Sequence, residues 1–140
     1  MSPKMIRAAG IACGLTFAGV GTIFLFSPDA VLRLMNSLGR SFGLPEAPLA
    51  GAGFYLALAV GYMAVVTILS FMMVRQPGNP AYALLLSQAK GASSLLSIGL
   101  FFFHQRAFVY LANGIVDGAL GLFAFLIYRS VRKSPAAARS

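Results

Sequence analysis

The sequence predicts an all-α fold: a four-helix transmembrane bundle running up-down-up-down, with a short amphipathic helix on its outer face. Three observations predict it. Hydrophobic residues make up 59% of the chain and charged residues 10%, where soluble domains hold ~45–50% and ~25%. Four apolar stretches each match the ~20 helical residues that cross a ~30 Å hydrocarbon core. The stretches are continuously apolar rather than alternating, and backbone polar groups in lipid must be satisfied within the segment, so each is a helix and not a barrel strand. The 140 residues are read as a single polytopic membrane domain.

The first span is placed at residues 8–26, behind Lys4 and Arg7. A positive start is also the mark of a signal peptide. However, this apolar run exceeds the ~7–15 residues of such a segment, and Ser27-Pro28-Asp29 is not a small-x-small cleavage site. A retained helix is expected. Ser27 is suited to cap the next helix, Pro28 to occupy its first position, Asp29 to complement its amino terminus and Gly39 to end it. Over residues 28–38, apolar Val31, Leu32, Leu34, Met35 and Leu38 are interleaved with Arg33, Asn36 and Ser37. That pattern predicts an amphipathic helix on the outer interface, a lid over the bundle or a docking surface. Pro45 and Pro48 keep the following segment extended.

The second span is placed at 49–74, the third at 81–103 and the fourth at 108–128. The turn Arg75-Gln76-Pro77-Gly78-Asn79-Pro80 is rich in helix breakers and short, so spans two and three are antiparallel neighbours. Residues 104–107 are a tighter turn still, which makes spans three and four a hairpin. Residues 129–140 are a basic, small-residue tail suited to anionic lipid.

Lys and Arg in short loops orient such a chain. Lys4, Arg7, Arg75, Arg129, Arg132, Lys133 and Arg139 lie on the side of the amino terminus, and Arg33, Arg40 and Arg106 on the other. Both termini are therefore expected in the cytoplasm, with the chain in a bacterial inner membrane. The net charge of +8 is spread over loops and ends without an aromatic-interleaved basic face, so nucleic acid is not an expected partner. Membrane lipids, other membrane subunits or further copies of the chain are.

Two ionisable residues fall inside spans, Lys90 in the third and Asp117 in the fourth. Insertion scales charge each ~2.5–3.5 kcal/mol at mid-helix, so both should face protein or water. Ser87, Lys90, Ser94 and Ser97 share one stripe of their helix, flanked by Gln88 and Ser93. On the fourth, Asn113 and Asp117 share a face with Gly114, Gly118 and Gly121, small residues that permit close helix approach. The two faces are expected to meet as an intramembrane polar network. Depth counted from the outer turn puts Lys90 ~20 Å and Asp117 ~14 Å below it, and side chains lean toward their helix's amino terminus. This predicts that Asp117 bonds Ser93 or Ser94, and that Lys90 joins through Ser94, water or tilt. An asparagine at 117 would then keep the serine bond and disturb the protein less than alanine. The network reads as a device fixing hairpin register, as a ligand or proton path, or as a pairing site for another subunit.

Gly10, Gly14, Ala18 and Gly21 form a small-residue stripe on the first helix, with Cys13 as a packing residue among them. Tyr62 reads as a packing residue, or as one that lends its hydroxyl to the network. Phe101, Phe102, Phe103, Phe108 and Tyr110 suggest an interfacial belt, or a wall for a quinone or pigment. His104 reads as a solvated turn residue or an outer pH sensor.

With one cysteine, one histidine and three acidic residues, the chain is too poor in ligands for a metal site, a redox dithiol or a haem held by two histidines. No phosphate loop, Ser-His-Asp set or HExxH occurs. Catalysis by this chain alone is not expected, and no cofactor is identified. An uncharged first helix and the lack of tryptophan set it apart from small multidrug transporters. The layout is similar in general plan to DoxX-like four-helix proteins, but no motif carries residues across. Two functions are expected from the residues. The first is a non-catalytic integral membrane subunit, or assembly factor, of a larger complex. The second is a small oligomeric transporter or proton-linked permeation unit using Lys90 and Asp117.

Overall fold

The computed structural model describes residues 1–48 and 53–133, with the backbone alone for 53–55. Among them the fold is all-α, without strands: α1 (Pro3–Phe26), α2 (Pro28–Ser41), α3 (Gly53–Arg75), α4 (Pro80–Phe103) and α5 (Phe108–Arg132). All but α2 are long and apolar enough to cross a membrane. The chain is thus a multi-pass membrane protein built as a helix bundle.

Helix ends depart from the predicted ones where local capping extends them. α1 begins at Pro3 rather than residue 8, because Ser2 Oγ accepts from the Met5 N–H at 3.3 Å and Pro3 fits the first turn. Ser27 does not cap α2 through its side chain; its backbone N–H closes α1 onto the Ile23 carbonyl instead. Gly39 does not end α2, which continues through Ser41 to a Schellman motif. There the Leu44 N–H reaches the Gly39 carbonyl and the Gly43 N–H the Arg40 carbonyl, both at 3.0 Å. Gly43, at φ 67°, takes the left-handed position that this motif demands. α4 starts under Asn79, whose side chain accepts from the Ala81 N–H at 3.0 Å. α5 runs through residues 129–132, assigned above to the tail, with Arg129 and Arg132 complementing its carboxyl end. Residues 49–52 of the predicted second span and 134–140 of the tail lie outside the described residues.

The helices associate as two antiparallel pairs, α1 with α3 and α4 with α5. Glycine sets both pairs. A Cβ at Gly10 would lie 2.8 Å from the Ser70 carbonyl oxygen, and one at Gly21 would lie 3.0 Å from Met63 Cβ. Advancing along α1 therefore means retreating along α3. In the second pair a Cβ at Gly114 would meet Ile98 at 2.7 Å and one at Gly121 the Gly91 nitrogen at 3.1 Å. The stripes predicted from sequence thus face neighbours within this chain. The pairs join through α3 and α4, whereas α1 and α5 barely touch.

Packing is uneven along the bundle axis. Ile6, Met73, Leu86, Ile127 and Val131 close the half that holds the amino terminus, and Phe17, Val66 and Ala124 continue this core to mid-depth. At that same end the Met1 amine donates to Ser130 Oγ. α2 lies at the opposite end against α5, where the Phe42 and Phe108 rings stack at 5.6 Å over Gly39. Buried Asn36 donates to the Ala47 carbonyl and accepts from its N–H, both at 2.9 Å, and so ties α2 to the extended segment after it.

Candidate functional site: a buried ion pair at the floor of a cavity

Lys90 and Asp117 meet directly. Lys90 Nζ lies 2.8 Å from Asp117 Oδ1, with the two residues 1% and 3% exposed. This corrects the expected serine partner for Asp117. The hairpin register brings Gly118 level with Ser94, which leaves Lys90 one helical turn, ~5.4 Å, from the carboxylate. The four-carbon stem of lysine spans that turn against the general lean of helical side chains. The ammonium also lies 4.5 Å from the Phe17 ring centroid and 5.0 Å from that of Tyr62. Two ring faces and one carboxylate oxygen therefore surround the cation.

The serine stripe forms the predicted network, with other partners. Ser94 Oγ donates to the Gly114 carbonyl at 2.6 Å and Ser87 Oγ to the Gly121 carbonyl at 2.9 Å. Each cross-helix bond occurs where a glycine lets the backbone come within reach of a hydroxyl. Asn113 Nδ2 donates to Ser97 Oγ at 2.7 Å and to Ser93 Oγ at 3.4 Å. Gln88 is exposed and lies off the network.

Two polar atoms of this region, Asp117 Oδ2 and the Tyr62 hydroxyl, are buried with no hydrogen-bond partner among the described residues. Both residues line a cavity of about 430 Å³. Lys90, Asp117, Ser93 and Asn113 form its polar wall, α1 adds Thr16, Phe17, Val20 and Phe24, and α3 adds Leu58, Ala59 and Met63. Val116 and Leu120 of α5 line it together with the α1 residues, at the seam where α1 and α5 barely touch. The core at the terminal end closes it below.

Neither Phe17 nor the cavity itself follows from the sequence reading. Tyr62 reaches the site through its ring face on Lys90, and its hydroxyl does not join the hydrogen-bonded network. The aromatic residues around the α4–α5 turn do not line this cavity: Phe103 is 93% exposed and Phe102 is exposed as well, which fits a belt rather than a ligand wall. His104 is exposed, and Cys13 packs half-buried against the core. Among the described residues no three His, Cys, Asp or Glu side chains gather as metal ligands. Comparison with protein-family models, curated proteins and solved structures finds no match to the chain.

Proposed function

We propose that the protein is a small membrane carrier that takes an apolar molecule with a polar head from the bilayer into the cavity between α1 and α5. One observation supports this reading above all: a buried carboxylate oxygen without a partner, in the wall of a largely apolar cavity lined by both α1 and α5. A volume of about 430 Å³ falls within the ~300–1,000 Å³ of small-molecule sites, which likewise combine apolar walls with a few convergent polar groups. Lys90 and Asp117 form the polar floor and no covalent chemistry is assigned to them. The orientation that goes with this reading has both termini in the cytoplasm of a bacterial inner membrane, supported by the excess of Lys and Arg on that side. Loading is then from the outer half of the bilayer.

Native mass spectrometry of the protein released from mild detergent tests this reading. A small amphiphile retained by the natural chain and lost from Val20→Trp, which fills the cavity, is the expected result. Identical adducts on both proteins would refute it.

A second reading, a non-catalytic subunit or assembly factor of a larger membrane complex, draws support from α2. Leu34 and Leu38 form an exposed apolar pair one helical turn apart on α2. The glycine faces no longer favour it, since α3 and α4 use them up. Purification at native expression level separates the two readings: stoichiometric membrane partners favour the subunit, and a particle of this chain alone favours the carrier.

A further inference from the structure

Resting on the carrier reading, we infer that the ligand is a neutral amphiphile with a hydroxyl head, an alcohol or phenol. Its O–H donates to Asp117 Oδ2 and its oxygen accepts from the Tyr62 hydroxyl.

Charge comes first. Lys90 and Asp117 neutralise each other at 2.8 Å, and no other charged side chain among the described residues lines the cavity. A charged head would give up its hydration and find no free countercharge, a severe loss in a low-dielectric site. An ammonium head would also approach Lys90, and a carboxylate head Asp117.

Hydrogen-bond accounting then narrows the neutral heads. Lys90 has its carboxylate and two ring faces, so its ammonium is already surrounded. Asp117 Oδ1 is taken, while Oδ2 is a buried acceptor without a donor. The Tyr62 hydroxyl lies near Ser93 but makes no well-formed hydrogen bond to it, which leaves a buried donor. Of the buried atoms without a partner, one accepts and one donates, and Ser93, Asn113 and Thr16 add further polar groups to the wall. A ketone or ester satisfies only the tyrosine and leaves the carboxylate orphaned. A primary amide brings two N–H donors and a carbonyl, more than the two unpartnered buried atoms match. A single hydroxyl donates once and accepts once. Phe17, Val20, Phe24, Leu58, Val116 and Leu120 then enclose an apolar body.

Matched probes test this in mild detergent, with protein-free micelles as the baseline: 2-naphthol, and 2-methoxynaphthalene, which keeps the ring and oxygen but lacks the donor. Fluorescence polarisation should show 2-naphthol binding about tenfold or more tightly, as expected for a hydrogen bond to a charged acceptor. Asp117→Asn should abolish the preference. Because that variant disturbs a buried pair, Tyr62→Phe is the second arm. It removes a hydroxyl that makes no well-formed hydrogen bond among the described residues, and it should narrow the preference by about threefold or more. Equal binding of both probes, or a preference unchanged in Tyr62→Phe, overturns the hydroxyl assignment and leaves the cavity reading standing. Failure of both probes to bind above the micelle baseline overturns both.

Discussion

Lys90 and Asp117, 27 residues apart in sequence and on opposite arms of a hairpin, form a direct ion pair at 2.8 Å inside the bundle. Its energetics follow from desolvation. The attraction of a buried pair roughly offsets the cost of dehydrating both ions, whereas a lone survivor has nothing to offset that cost.

Removing one member should therefore destabilise the protein by ~3–5 kcal/mol, and replacing both with apolar residues should restore most of the loss. Asp117→Ala and Asp117→Asn are both expected to melt well below the natural protein in mild detergent, because neither neutralises Lys90. The double variant Lys90→Met with Asp117→Leu should melt above either. A double variant as unstable as the singles would show that the pair is more than a mutually compensating unit.

Glycine substitutions should divide according to what a new methyl group meets. At Gly10 it meets a backbone oxygen at 2.8 Å, which cannot swing away, whereas at Gly19 it meets nothing within 4 Å. Gly10→Ala is expected to separate α1 from α3 and lower the melting temperature by several degrees. Gly19→Ala should be neutral or stabilise by up to ~1 kcal/mol through reduced backbone entropy. Similar melting temperatures for the two would rule out Gly10 as the contact that sets the α1–α3 approach.

Two contacts between α2 and the segment after it should differ in weight. Asn36 satisfies both backbone groups of Ala47 while buried, at ~0.5–1.5 kcal/mol per bond. Arg40 and Glu46 pair at 3.4 Å with side chains 67% and 52% exposed, a setting usually worth ~0–1 kcal/mol. Asn36→Leu should accelerate amide hydrogen exchange at Ala47, and Glu46→Gln should leave it nearly unchanged. The reverse ranking would mean that the exposed ion pair holds the segment.

The proposed orientation predicts a labelling pattern. In a Cys13→Ser background, Ser37→Cys should react with a membrane-impermeant maleimide on intact spheroplasts, and Gly78→Cys only after permeabilisation. Labelling of Gly78→Cys on intact spheroplasts would invert the topology.

Much of the fold was legible because lipid imposes a strict rule on sequence. Continuous apolar runs bounded by Pro77, Gly78 and the turn at His104 had one structural solution, and the amphipathic pattern of α2 another. Lys90 and Asp117 stood out because charge at that depth is costly, and the serine and glycine stripes followed from helical periodicity. What escaped depends on register between helices distant in sequence. Phe17 approaches Lys90 from α1, and no periodicity within either helix relates their depths. The difference in height between Lys90 and Asp117 was readable from the chain, yet the freedom of a lysine stem to bend against the usual lean was not. The cavity is a product of α1 and α5 failing to close, which no single helix encodes.

The separation of the ion pair along the chain also imposes an order on biosynthesis. At ~5–20 residues per second, the 27 residues between Lys90 and Asp117 leave the cation without its counterion for a second or more after it is made. During that interval α4 alone faces an unfavourable entry into lipid, and the arrival of α5 removes the obstacle. The two helices are thus expected to leave the translocation channel together as a hairpin, and a nascent chain stalled ahead of Asp117 should keep α4 crosslinkable to that channel.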